Sequence, residues 1–499
     1  MKYLSSRGKY QSIKAAEAIK MGISPDGGLF VPKFIPGLDD DTLKIMESEN
    51  YQERACRILG YFLSDFSGEE IKRCVYNAYN EERFDDERIA PLVELTPGVY
   101  IQELWHGPTS AFKDMALQLL PQLMTVSARK TGESGEIVIL VATSGDTGKA
   151  ALEGFKDVVG TRIIVFYPAD GVSEVQKRQM ITQEGKNVYV AAVQGNFDDA
   201  QTGVKNIFAD HQFAECLMQK GMKLSSANSI NWGRLLPQIV YYISAYVELR
   251  VRGTVTLGEP VNIVVPTGNF GNILAAYYAS RMGVPVQKLI CASNTNKVLD
   301  DFIRTGVYDR NRNFEKTISP SMDILISSNL ERLLYEITGH DAVRVAGWME
   351  ERKNEGRYEV DAATLVQVQK MFWSEFCTDE ETIKTIRAAW EKNGYLLDTH
   401  TAVAVNVYEK YLNETRDPVK TIIASTASPF KFGSSVAQAV LDPATVSGQD
   451  EFALLNKLAE ATGVSIPEGI KGLDKKPVLH NTLSTREQML DTVAGFLKL

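Results

Sequence analysis

Five short stretches of this 499-residue chain combine residue types and spacings that can do chemistry. In W-H-G-P-T-S-A-F-K-D-M-A-L-Q, residues 105–118, Lys113 stands between an aromatic residue and an aspartate. It follows a Gly-Pro turn and precedes an apolar helical run. An amine there either snorkels outward from a helix start or sits partly desolvated with a lowered pKa, able to form a Schiff base with a carbonyl. Gly268-Asn269-Phe270-Gly271-Asn272 follows an apolar run and opens a helical one. Glycines that turn backbone N–H groups inward at a helix N-terminus make a phosphate cradle, although Gly and Asn also make plain turns. The stretch is not the G-x-G-x-x-G of dinucleotide folds.

Thr143-Ser144-Gly145-Asp146-Thr147-Gly148-Lys149 has the same setting. A P-loop comparison fails, because its glycines are too close together and Ala150 replaces the magnesium-binding Ser or Thr. A hydroxyl-rich loop at a helix start can hold a carboxylate, or can simply cap the helix. In residues 228–234, Arg234 follows two asparagines and a serine; its fork suits phosphate, and a surface arginine is the ordinary alternative. Ser425-Thr426-Ala427-Ser428-Pro429 ends a late apolar run with hydroxyls that can reach a ring nitrogen lying across a sheet.

Such loops need a scaffold. Apolar runs at 137–142, 162–166, 187–193, 261–265 and 421–424 alternate with helical patterns, which predicts parallel sheets covered by helices on both faces. In an open sheet of this kind, ligands bind at the carboxyl ends of the strands. Helical spacing at 44–61 and 69–82 predicts a mainly helical N-terminal domain over residues 1–95. Helices are expected near 272–281 and 298–304 and through most of 306–395, and the last 50 residues read as a short helix-and-loop cap.

Composition narrows the classes. Hydrophobic content of 44%, charged content of 23% and a net charge of −9 suit an ordinary enzyme and argue against nucleic-acid binding. The five cysteines lie in no C-x-x-C pair, as expected of reduced thiols. No apolar run approaches the roughly 18 residues that span a bilayer. The N-terminus lacks a secretory core, and the histidines lack metal-ligand spacing. A soluble, cytoplasmic protein with no metal site is expected.

In order, G-P-T-x-A-F-K-D, T-S-G-D-T-G, N-S-I-N-W-x-R, G-N-F-G-N and S-T-A-x-P-x-K-F closely resemble the threonine synthase family. The opening M-K-Y-x-S-x-R-G, P-D-G-G-L-F-V-P, V-S-E-V-Q-x-x-Q-M, S-P-S-M-D-I-L-I-S-S-N at 319–329 and D-T-H-T-A-V at 398–403 extend the resemblance over residues 1–433. It implies an α/β pyridoxal-phosphate enzyme of the tryptophan-synthase β-subunit type (fold type II), with two open, mostly parallel sheets. The expected large domain is 96–132 with 216–499, and the small mobile domain is 133–215.

The resemblance also implies roles. Lys113 would carry the internal aldimine, and Gly268, Asn269, Phe270, Gly271 and Asn272 would cradle the phosphate of pyridoxal 5'-phosphate. Thr426 would approach the pyridine nitrogen as a neutral hydroxyl. Ser144, Asp146 and Thr147 would face the substrate carboxylate or the cofactor's ring hydroxyl. Arg234 with Asn231 and Lys149 would hold the substrate phosphate, with His400 and Thr401 as further candidates for that pocket. Ser428 and Phe430 stand where the family often has histidine and alanine, which puts that histidine's contribution in question. The implied reaction converts O-phosphohomoserine and water to threonine and phosphate, in a monomer or homodimer. A phospho-lyase or dehydratase releasing a ketoacid and ammonia is the nearest alternative, and a non-catalytic phosphate-ligand binder is the alternative from another class.

Overall fold

Apolar runs without alternation make strands buried on both faces. In the computed structural model, which describes every residue except Ser134, Ser144 and Gly171, such strands build two main sheets. The larger runs Phe372–Phe376, Val286–Ser293, Val261–Pro266, Thr421–Ser425, Val99–Glu103, Leu92–Thr96, parallel except for the last pair. Ile422 lies opposite both Tyr100 and Ile263, which brings the carboxyl ends of three central strands side by side. The second sheet is all parallel, in the order Thr482–Ser484, Val188–Val193, Thr161–Pro168, Glu136–Ala142, Met222–Ser225. The expected α/β class with parallel sheets is borne out, and each of the five expected strands overlaps an observed one.

Several elements depart from expectation for local reasons. The helical pattern at 44–61 is two helices, Asp40–Met46 and Tyr51–Phe62. Asn50 starts the second one by accepting from the Glu53 amide at 2.9 Å, while Glu53 accepts from the Asn50 amide at 3.0 Å. The N-terminal region also contains an antiparallel pair, Tyr3–Ser5 with Phe30–Pro32. Phe372–Phe376, inside a stretch expected to be helical, is drawn into the edge of the large sheet by pairing with Val286–Ser293. The C-terminus does more than cap: Thr482–Ser484 completes the second sheet, and Met489, Val493 and Leu497 fill its hydrophobic core.

The helix Trp232–Val251 is apolar nearly all round and is buried accordingly. Tyr3 and Phe62 of the N-terminal region pack on Trp232 with ring centroids 5.4 and 5.7 Å away. Arg332, fully buried, joins three segments: it donates to the carbonyls of Phe30 (3.0 Å) and Ile230 (2.6 Å) and to Asn329 Oδ1. Among the described residues no helix is long and apolar enough to cross a membrane.

The helix Asp146–Phe155 presses against the helix Lys113–Leu117 so closely that a Cβ on Gly154 would collide with the Leu117 carbonyl oxygen. Gly154→Ala is therefore expected to destabilise the protein by about 1–3 kcal/mol through overpacking. The urea midpoint measures it, and an unchanged midpoint would contradict this contact.

Candidate active site

Three loops leave the carboxyl ends of adjacent strands in the large sheet. After Val99–Glu103 the chain passes through Ser110, a non-glycine residue at φ 58°, before Lys113 opens its helix. After Thr421–Ser425 comes Thr426, whose carbonyl accepts from the Phe112 amide at 2.8 Å. After Val261–Pro266 comes the Gly268 loop, where Phe270 is held at φ 62° at the start of the helix Gly271–Met282. Left-handed backbone at non-glycine residues is strained and concentrates at functional sites.

The Lys113 amine stands 3.2 Å from Ser321 Oγ and 3.5 Å from Asp146 Oδ2. Ser321 donates its hydroxyl to the same Asp146 oxygen at 3.0 Å. The other oxygen of Asp146 meets Lys431 Nζ at 3.1 Å and accepts from Gln176 Nε2 at 2.9 Å. Burial disfavours the Asp146 anion, but Lys431, Lys113 and Gln176 outweigh it and hold the carboxyl well below the usual range. Burial lowers the Lys113 amine from its ordinary value; Asp146 opposes that, while Lys431 and Arg234 add to it. The Lys113 amine therefore lies inside the site, against Ser321 and Asp146, and does not snorkel to the surface.

Arg234 is 4% exposed and has no carboxylate partner among the described residues. It donates to the Ala227 carbonyl at 2.9 Å, its Nε is unpartnered, and burial alone lowers its pKa to about 10. A desolvated, unpaired guanidinium is costly unless an anion completes it.

The other expected residues divide. Gly268 and Asn269 have their carbonyls tied back, by Ser327 Oγ at 2.8 Å and by the Asn329 amide and side chain at 3.1 and 3.0 Å. Because peptide planes are trans, the Asn269 and Phe270 N–H groups point away from those partners. Thr426 is buried, with a hydroxyl that makes no hydrogen bond among the described residues. Asp146 meets Lys113, as above, and Thr147 is half-buried beside it. Ser144 lies outside the described residues.

Four residues are engaged elsewhere. Asn231 caps the long helix, accepting from the Gly233 amide at 2.8 Å and donating to the Ile19 carbonyl at 2.9 Å. Lys149 pairs with Glu153 at 3.0 Å and bonds to Gln183. Thr401 bonds to Asp398 and, at 3.0 Å, to Ser425. His400 Nε2 accepts from the Ser321 amide at 3.1 Å, with Asp398 3.1 Å from its other ring nitrogen. Ser321, Lys431 and Gln176 were assigned no role from sequence; all three stand in the motifs that carry the family resemblance, which is the signal that could have found them.

A model of the threonine synthase N terminus matches residues 2–79, one of pyridoxal-phosphate-dependent enzymes matches 84–349, and one of the threonine synthase C-terminal region matches 401–484. Threonine synthase of Pseudomonas aeruginosa is 38% identical over 443 residues, covering 88% of this chain and 90% of the relative. The chain belongs to the threonine synthase family. That family is one of pyridoxal-phosphate-dependent lyases, so the expected cofactor is borne out. Threonine synthase-like 1 of Homo sapiens is 42% identical over 435 residues, 85% of this chain, and the chain spans only 58% of that relative's length. Among solved structures, PLP-bound threonine synthase from Brucella melitensis superposes with a TM-score of 0.88 at 34% identity, covering 100% of both chains. Yeast threonine synthase superposes with the same score at 33% identity, covering 100% of this chain and 99% of that one.

The residues fit pyridoxal phosphate on structural grounds. Asn272 Oδ1 accepts from Tyr241 and Tyr242 at 2.6 and 2.5 Å, leaving its buried Nδ2 without a partner beside the cradle. A Cβ on Gly268 would sit 2.7 Å from the Ser321 carbonyl oxygen, so only glycine keeps that turn tight.

At the edge of the same segment His106 lies between Asp85 (2.5 Å) and Glu103 (2.9 Å). Burial would lower its pKa, but the two carboxylates outweigh it and raise the ring from 6.5 to about 9. This stabilisation is complete below pH 6.5 and is lost as pH rises through about 9. His106→Gln should therefore cost most stability near pH 6 and little near ~pH 10; parallel denaturation curves at the two pH values check this, and an equal cost at both refutes it.

Proposed function

We propose that this protein is a threonine synthase in activity, converting O-phospho-L-homoserine and water to L-threonine and phosphate. The observation that carries the reading is the buried Arg234, which donates to the Ala227 carbonyl and has no carboxylate partner among the described residues. An amine poised as a base thus has beside it a cation that lacks an anion. Pyridoxal phosphate would be held through Lys113, Thr426 and residues 268–272, and when bound it would supply the electron sink that makes a carbon-bound proton removable.

The chain's own groups do the rest. Arg234 binds and orients the substrate phosphate, giving it a forked cation where the leaving group must sit. Lys113, its pKa lowered by burial and by Lys431 and Arg234, accepts a proton from the substrate carbon and returns one later. Asp146 stays ionised and balances the cationic charge while these transfers occur. Asp146 and Thr147, with Ser144, are assigned to the substrate carboxylate end or the cofactor ring hydroxyl. Asn231 and Thr401 shape this pocket from behind, as cap and bracket. Closure of the smaller sheet unit, built around residues 133–215, would exclude water until it is needed. The same reading makes the protein a cytoplasmic enzyme, monomeric or homodimeric, with five free thiols in support.

Purified protein given O-phosphohomoserine is expected to release threonine and phosphate in equal amounts; 2-oxobutyrate and ammonia as main products would establish the lyase alternative instead. Lys113→Ala should abolish turnover, and a variant that keeps it would defeat this reading. Arg234→Met should lower kcat/KM by on the order of 100-fold or more, the cost of losing a buried cation's partner. A loss of less than about threefold would remove Arg234 from the phosphate site.

A further inference from the structure

Ser321 has no place in the reaction as described so far, yet its hydroxyl occupies the gap between the two groups whose charge matters most. It lies 3.2 Å from Lys113 Nζ and 3.0 Å from Asp146 Oδ2, whereas the amine and the carboxylate are 3.5 Å apart. Its proton is committed to the anion, so its lone pairs face the amine. Its position is fixed from behind: the Ser321 amide donates to His400 Nε2, which requires His400 to carry its proton on Nδ1, toward Asp398. The loop on either side is clamped by Asp323, which accepts from Asn294 (2.8 Å), Asn296 (3.0 Å) and the Thr317 hydroxyl (2.7 Å) and amide (3.0 Å).

We propose that Ser321 is a positioning residue that acts as a spacer, holding the Lys113–Asp146 pair at 3.5 Å instead of at direct hydrogen-bonding distance, and turning the amine's free electron pair toward the substrate. The physics is direct. The hydroxyl takes one N–H of a neutral Lys113, and Asp146 faces another. The lone pair of the amine must then point away from both. Without the hydroxyl, Asp146 Oδ2 loses a hydrogen-bond donor in a dry site, and the nearest replacement is the lysine ammonium. A direct ion pair would hold the proton on Lys113 and its lone pair out of use. The other charged groups bearing on this amine are Lys431 and Arg234, both cationic, and neither can substitute for the hydroxyl as an acceptor. His400 reaches the amine only through Ser321. On this reading His400 belongs to the support of the base, and not to the phosphate pocket.

The inference rests on Lys113 acting as the base, and it is tested separately from that claim. In Ser321→Ala, the acidic limb of the kcat–pH profile should move up by about one unit or more, the shift an added ion pair gives. Activity should then be lost at neutral pH and regained above it. In apoprotein, the rate at which acetic anhydride labels Lys113, followed by mass spectrometry of its peptide, should show the same upward shift in midpoint. Ser321→Thr, which keeps the hydroxyl, should hold both midpoints near wild type. Ser321 is only half-buried, so alanine should be tolerated there. A uniform loss of activity across pH, or a labelling midpoint that stays put in Ser321→Ala, would overturn the spacer role. The labelling result is independent of turnover, so it stands or falls whether or not Lys113→Ala confirms the base.

Discussion

One buried carboxylate, Asp146, is what the rest of the site depends on. It meets Lys431 on one oxygen and Lys113, with Ser321, on the other. Asp146 is shared between two lysines, and the nearby Arg234 has no carboxylate partner among the described residues. Three largely buried basic groups, Lys113, Lys431 and Arg234, thus bear on one another around Asp146, and such desolvated charge is costly in isolation. The phosphate of the family's cofactor is an anion that such a site can take. Its electrostatics specify its ligands as much as its shape does.

That arrangement needs rigid support, because desolvated charges exploit any freedom to collapse together. The support comes from elements far apart in sequence. Asp146 and Gln176 arrive with helices of the five-stranded sheet, Lys113 and Lys431 from loops of the six-stranded sheet, and Arg234 on the long buried helix. Lys431 also donates to the Thr109 carbonyl at 2.7 Å, in the turn just before Lys113. The second sheet therefore contributes charge to a site whose lysine, Lys113, belongs to the first.

Much of this was legible in the residues. The apolar runs marked the parallel strands, and the motif order marked the family and its cofactor. Lys113, Asp146, Arg234 and the Gly268 loop are where those motifs placed attention, and they come together in space. Other features depend on partners that no local pattern carries. Phe372–Phe376 is a strand because Val286–Ser293 lies beside it. Lys149 looked free beside a glycine-rich turn, yet Glu153 one helical turn on takes its charge. His400 and Thr401 sit in a motif near the site, but Asp398 in the same motif claims both. Ser321 lies 208 residues from the amine it touches, a pairing visible only in the fold.

The strand Thr482–Ser484 has a consequence for how the protein is made. The second sheet begins with Glu136–Ala142, yet its outer strand and the helix Met489–Leu497 come from the last residues of the chain. During synthesis, Val188–Val193 must wait with an open parallel edge while nearly three hundred more residues are translated. Such an edge invites pairing with other chains. The nascent protein therefore keeps that edge unpaired until residues 482–484 have been made.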